Sequence, residues 1–229
     1  LVHQALEYLM LRPAETRTLD NAILDLSTAR TELADHPDFT KLSLSDQQRE
    51  DLYEESEVLM ENYFKLENPT TINPIGLELK LQADINGVTL RGVIDRLELD
   101  ADGELIVTDY KTGKAPSPKF QGEPLAQVHT YALLCQEMLG RRPKKVQLLY
   151  LGNQVAIVAE STDQTSRGIE TKTGARWDAI KKACASDNFP TNASKLCNWC
   201  SYQAYCPEFG GDPAKAEELR LTETPASKS

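Results

Sequence analysis

The sequence predicts an α/β fold, a mixed β-sheet flanked by helices, and three observations predict it. Residues 88–99 (VTLRGVIDRLEL) and 105–111 (LIVTDYK) are rich in β-branched and apolar side chains, and the turn signal Asp100-Ala101-Asp102-Gly103 between them makes a hairpin. Upstream, residues 76–81 (GLELKL) read as a preceding strand, joined to the hairpin through Asn86-Gly87, a dipeptide suited to a tight turn. Downstream, residues 125–138 read as a helix in which Gln127, Tyr131, Leu134 and Met138 recur at helical spacing, and two more strands follow at 145–151 and 154–160.

Taken in order, residues 1–74 read as a helical arch or lid, with breaks near Arg12-Pro13 and His36-Pro37 and an acidic helix from about 45 to 66. Residues 75–187 form the α/β core, ending in a helix over 164–186. Residues 188–210 form a cysteine-containing loop, and 211–229, rich in Ala, Glu, Thr and Ser, is expected to be a loosely attached tail. No internal repeat and no phosphate-binding Gly-x-x-x-x-Gly-Lys occurs, so ATP use is not encoded in this sequence.

The hairpin carries the chemistry. It presents Gly92-Val93-Ile94-Asp95-Arg96 and Asp109-Tyr110-Lys111-Thr112-Gly113 on adjoining strands. By strand alternation Asp109 and Lys111 share a face with Leu105 and Val107, and Asp95 shares one with Val93, Leu97 and Leu99. Two carboxylates therefore point to a mostly apolar side, where an unpaired ionised group costs several kcal/mol unless a cation or hydrogen bonds offset it. A divalent metal supplies that compensation: Asp95 and Asp109 are hard oxygen ligands suited to Mg2+ or Mn2+. Lys111 then either orients or deprotonates the attacking water, or neutralises charge developing on a phosphate. An isolated Asp-x-Lys is usually an ordinary strand end, and Asp95 has Arg91 and Arg96 as alternative partners; the surrounding elements decide between these readings.

The whole series is His3 on an early helix, Glu78, Gly92-Val93-Ile94-Asp95-Arg96, Asp109-Tyr110-Lys111-Thr112-Gly113 and Gln127-x-x-x-Tyr131-Ala132. It resembles the RecB-type branch of the PD-(D/E)xK nuclease superfamily over nearly the full chain. The resemblance implies a restriction-endonuclease-like core in which His3, Asp95 and Asp109 are metal ligands, with the Tyr110 carbonyl as a further oxygen. Lys111 is then the catalytic lysine, and Gln127 and Tyr131 contact the scissile phosphate or order the water. Glu78 matches an early acidic position with a supporting role.

Near the carboxyl end Cys197, Cys200 and Cys206 stand at the spacing C-x2-C-x5-C, in a loop short enough to wrap a metal centre. The plain alternative is a small apolar plug of the cysteines with Trp199 and Tyr205. Zinc and iron-sulfur centres both take four protein ligands, and three are clustered here. Cys135 falls on the stripe of Gln127, Tyr131 and Met138 and reads as a core residue, while Cys184 ends the last long helix. Iron-sulfur members of the RecB-like nucleases, those of CRISPR adaptation and of the AddB type, place one cysteine before the first helix and three at the carboxyl end with this spacing. That likeness implies a 4Fe-4S cluster whose fourth cysteine lies upstream of Leu1, where the chain opens without Met inside an uncapped helix.

Composition bounds these expectations. With 229 residues, 40% of them hydrophobic, the chain suits one sizeable core with attachments. No apolar run approaches the roughly 20 residues that span a bilayer, and no export signal opens the chain, so no membrane association and a cytoplasmic location are expected. A net charge of −10 argues against indiscriminate nucleic-acid binding, which rests on cations that displace counterions. Arg91, Arg96, Lys111, Lys114 and Lys119 are nonetheless expected around the centre, with Arg141, Arg142, Lys144 and Lys145 as a second basic cluster. The expected function is a metal-dependent deoxyribonuclease, an exonuclease on single-stranded DNA ends in repair or recombination, with a repair helicase as possible partner by resemblance. The rival expectations are an inactive DNA-binding subunit and a zinc-type interaction module of a helicase-nuclease complex.

Overall fold

A computed structural model of the chain describes residues 1–215. Residues 1–175 make one compact unit and a second begins at Arg176. The first unit opens with four helices: α1 (Val2–Leu11), α2 (Leu19–Ala34), the single-turn α3 (Pro37–Thr40) and α4 (Asp46–Leu66). Three strands follow, β1 (Asn73–Ile85), β2 (Val88–Leu99) and β3 (Leu105–Lys111), then α5 (Gly122–Leu139), β4 (Lys145–Tyr150) and β5 (Val155–Glu160). α6 (Asp163–Ser186) contains the boundary between the units. The helix starts are sequence-encoded: Thr18 caps α2 through the Asn21 amide, and Ser45 and Gln48 form a reciprocal capping box on α4. α5 ends at Gly140, whose left-handed φ of 66° suits glycine.

The five strands lie in the order β1-β2-β3-β4-β5, antiparallel throughout except for the parallel pair β3 and β4. Parallel neighbours need a crossover, and α5 is that crossover. Its buried side chains Val128, Ala132, Leu134 and Cys135 pack with Leu97, Val107, Val146 and Leu148. A second cluster joins α1, α2 and α4 (Leu6, Leu9, Leu26, Met60, Tyr63) to Tyr110, Leu149 and Leu151. The sheet is thus covered by helices in two separate cores, as the α/β expectation requires. Arg17, buried, ties α1 to the approach of β1: it donates to the Met10 and Arg12 carbonyls at 3.0 and 2.9 Å and to Ile72 O at 2.8 Å.

Three expectations are corrected. Asp95 does not share a face with Val93, Leu97 and Leu99: Val93 is exposed, while Ile94 and Leu97 both pack in the α5 cluster, which strict alternation forbids for residues three apart. The opposing strand is irregular at the same level. Leu77 packs with the amino-terminal helices and Leu79 with the α5 cluster, and Glu78 between them has a left-handed φ of 44°. Arg96 is not a surface cation near the centre but is fully buried. Its guanidinium makes a double hydrogen bond to Glu67 (2.9 and 2.8 Å), donates to the Tyr110 hydroxyl at 2.6 Å and ion-pairs with Glu98. The stripe of Gln127, Tyr131 and Met138 is core only in part: Gln127 and Met138 are exposed, whereas Cys135 is buried as expected, with Val128, Ala132, Leu133 and Leu134.

The second unit holds the cysteine loop, formed of short 3-10 turns at Lys195–Trp199, Gln203–Tyr205 and Pro207–Phe209. All the cysteines are free thiols; Cys197 and Cys206 are half-buried, and Cys200 and Cys184 exposed. Trp199 is 87% exposed, so no apolar plug forms around it. Among the described residues no helix is long and apolar enough to cross a membrane. Past Lys215 the expected tail lies outside the described residues.

Candidate active site

The pairing of β2 with β3 runs from Leu99↔Leu105 to Arg96↔Thr108 and stops there, while β3 continues beside β4 as far as Lys111↔Tyr150. Where the strands part, the Tyr110 amide has no main-chain acceptor on β2. The Asp95 carboxylate takes its place, accepting that N–H at 2.7 Å on Oδ2. The site therefore opens at a split in the sheet.

α1 lies against this split, its apolar face (Ala5, Leu6, Leu9, Met10) sunk in the core, and delivers His3 with Nδ1 at 3.5 Å from Asp95 Oδ2. Glu78, held in its unusual backbone, completes a set. One ligand atom each from His3, Glu78 and Asp95 lies within 4.8 Å of the others, and among the described residues this is the only such group of three or more His, Cys, Asp or Glu. The hydrogen bond to Asp95 raises the pKa of His3 against the opposing effect of burial, and Asp109 and Glu78 are near enough for their charges to add to the rise. Burial, reinforced by the Asp95 charge, pushes the Glu78 carboxyl up. Such a set of one imidazole and two carboxylates crowded against each other is short of positive charge, and a divalent cation fits it.

Asp109 stands beside the set, only 3% exposed, and burial raises its pKa against the pull of Lys111. The Lys111 ammonium is 2.6 Å from Asp109 Oδ2, yet that buried oxygen has no aligned hydrogen-bond donor. Lys111 Nζ also donates to Gln127 Oε1 at 3.1 Å, and Gln127 Nε2 donates to the Tyr131 hydroxyl at 2.8 Å. Tyr131 in turn rests on Gly92, where an added Cβ would lie 2.8 Å from the ring. The end of β3 is clamped from β4 and the turn after it: Leu151 N–H donates to Lys111 O at 2.8 Å, and Asn153 Oδ1 accepts from Ala115 N–H at 2.9 Å.

All the residues expected from the sequence in the centre, His3, Asp95, Asp109, Tyr110, Lys111, Gln127 and Tyr131, are thus linked in one region. Glu78, expected only in support, stands in the cation-sized set itself. Sequence reasoning missed two features: the Arg96 network behind Tyr110, and the clamp on Lys111, for which the Gly152-Asn153 turn is the one visible signal. The three loop cysteines do not form a comparable tight set, and Arg141 and Arg142, expected in a second basic cluster, are paired with Glu104 and Asp163.

A mixed five-stranded sheet between helices, with acids and a lysine at a split between strands, is the arrangement of a nuclease type of core, and the comparison with known families agrees. Matched over residues 1–207, the chain belongs to the PD-(D/E)XK nuclease superfamily. Among curated proteins it is similar to the Gene 69 protein of Mycobacterium phage L5, 28% identical over 136 residues, which is 58% of this chain and 44% of that protein. The Gene 69 protein of Mycobacterium phage D29 is 28% identical over 137 residues, 58% of this chain and 48% of its own length. The match thus spans about half the length of these relatives. A solved structure titled "Crystal structure of SSO0001" covers 88% of this chain and 84% of its own, at 13% identity and a TM-score of 0.42.

Proposed function

We propose that the protein hydrolyses DNA phosphodiester bonds with Mg2+ or Mn2+, as a RecB-type exonuclease acting on single-stranded ends in the cytoplasm. The observation that carries this is the convergence of His3, Glu78 and Asp95 within 4.8 Å beside the Asp109–Lys111 pair. His3, Glu78 and Asp95 would hold the ion, with Asp109 next to them. When bound, it would polarise a phosphate oxygen and acidify a water molecule. The chain's own groups do the rest. An ammonium has three donors; Gln127 engages one on Lys111 while Asp109 lies in ion-pair range, which leaves a donor for the phosphate oxygen on which charge develops. Gln127 and Tyr131 fix the position of Lys111, and the Tyr110 amide fixes Asp95.

Cys197, Cys200 and Cys206 supply three thiolates toward a 4Fe-4S cluster, the fourth coming from a cysteine upstream of Leu1. This part rests on spacing and resemblance. A protein extended upstream should then be brown and contain iron, and a colourless, iron-free product of equal stability refutes the cluster. The link to a repair helicase rests on resemblance alone.

The test of the main reading is cleavage of end-labelled DNA, single- and double-stranded, linear and circular, with Mg2+, Mn2+ or EDTA. Metal-dependent loss of linear single strands, reduced about 10²- to 10⁴-fold in Lys111→Ala, is expected. No cleavage by a folded protein extended upstream would shift the reading to an inactive DNA-binding subunit, and cleavage equal to that of Lys111→Ala would remove Lys111 from the catalytic role.

A further inference from the structure

Outside the carboxylate centre, an open groove of about 650 Å³ lies between the β1–β2 hairpin and α5. Lys80, Arg91, Gly92, Val93, Tyr131 and Met138 contribute to its lining, and no acidic residue does, in a chain whose net charge is −10. Lys80 and Arg91 are exposed, and among the described residues neither is in an ion pair, unlike Arg141 and Arg142. Val93 and Met138 are exposed apolar side chains, 39% and 48% accessible. The strand register sets Lys80 beside Val93, and Leu81 beside the Gly92 that seats the Tyr131 ring. The same tyrosine hydroxyl accepts from Gln127, which accepts from Lys111. Two side chains therefore connect the groove to the proposed catalytic lysine.

We infer that this groove is the track for single-stranded DNA next to the cleaved bond, an inference that rests on the nuclease reading above. Lys80 and Arg91 take phosphates, and Val93, Met138 and the Tyr131 ring take the face of an unstacked base. Charge complementarity selects a polyanion, because the groove is a local exception on an acidic protein. The apolar and aromatic lining selects a single strand, since a duplex keeps its base faces stacked and offers none to a side chain. The groove thereby supplies a physical reason for a preference between strands that the carboxylates and lysine, which see only a phosphate, do not supply.

The test separates the groove from the catalytic centre. Binding of a fluorescein-labelled thymidine oligomer, and of a duplex of the same length, is followed by anisotropy in EDTA across a salt series. Wild type is compared with Lys80→Glu/Arg91→Glu and with Lys144→Glu/Lys145→Glu, which makes the same charge change at exposed positions outside the groove. The groove variant should lose about tenfold or more in affinity for the single strand. Its plot of log affinity against log salt should flatten by about 1.4, from about 0.7 for each of two phosphate contacts. The control should keep most of its affinity and its slope. Equal losses in the two variants, no loss in either, or no binding by wild type would each overturn the inference. Cleavage of the same oligomer with Mn2+ tells the two failures apart. Groove-dependent binding with no cleavage above that of Lys111→Ala refutes the nuclease reading alone. Cleavage with an unchanged KM in the groove variant refutes the groove alone.

Discussion

Replacing Arg96 by methionine removes the one cation from a buried polar network and leaves its acceptors behind. Glu67 and Glu98 have side chains only 16% and 10% exposed, and the Tyr110 hydroxyl between them is buried. Breaking a buried pair by deleting one partner costs about 3–5 kcal/mol, because the remaining charge stays desolvated. Glu67 retains some contact with water and Gln147 Nε2, at 3.2 Å, still donates to it, so the lower figure, about 3 kcal/mol, applies. With a urea slope of about 2–3 kcal/mol/M, the unfolding midpoint should fall by about 1 M or more. The pH dependence has a definite sign. Burial raises the Glu98 carboxyl and Arg96 holds it down, so removing Arg96 raises it further. A folded pKa above the unfolded one gives stability that is present in acid and lost as pH rises through the folded pKa. The deficit of Arg96→Met should therefore be smallest at acid pH and grow toward neutrality, and adding Glu67→Gln should restore part of it. Urea titrations of the three proteins across pH measure this. A loss below about 1 kcal/mol, or one that grows toward acid, would refute the network as a source of stability.

Gly92→Ala forces a Cβ to within 2.8 Å of the Tyr131 ring and 3.1 Å of Leu134. It should cost about 1–3 kcal/mol of stability and displace Tyr131 from Gln127; an unchanged melt with unchanged tyrosine fluorescence would count against that packing. In metal-free protein the His3 ring should titrate above the ordinary histidine range, because the hydrogen bond to Asp95 favours the imidazolium. The stability from this pair is present below the unfolded pKa and disappears as pH rises through the folded one. Asp95→Asn should bring the titration down, as followed by histidine NMR, and a wild-type ring that titrates at or below the ordinary value would sink the assignment. Mn2+ at about 100 times its dissociation constant should stabilise wild type by about 2.7 kcal/mol and Asp95→Asn by far less; equal stabilisation in thermal melts would place the ion elsewhere.

The strands and helices that position the centre were legible because their signals are local. Asn86-Gly87 and Asp100–Gly103 lie between β-rich runs, and the acid–lysine pair ends one of them. What was not legible depends on neighbours distant in sequence. The kink at Glu78 and the break in alternation at Asp95 follow from strands parting, and no residue in either strand announces this: Glu78 adopts a left-handed backbone without being glycine. Arg96 looked like a solvent-facing cation because a polar residue on a strand usually is one. Its burial is set by Tyr63 of α4 and by Glu67 just after that helix, well upstream in the chain. The stripe on α5 was periodic, but periodicity alone does not say that half of it borders an open groove.

The clamp between Leu151 and Lys111 also bears on the order in which the proposed centre is assembled as the chain is made. His3, Glu78, Asp95, Lys111 and Gln127 are scattered along the chain, and β3 gains its parallel neighbour only when β4 has followed α5. A nascent chain that ends before Lys145 lacks both the neighbour and the clamp, and one that ends at Tyr150 still lacks the clamp. The proposed centre is therefore complete only once β1 to β4 and Leu151 have left the ribosome.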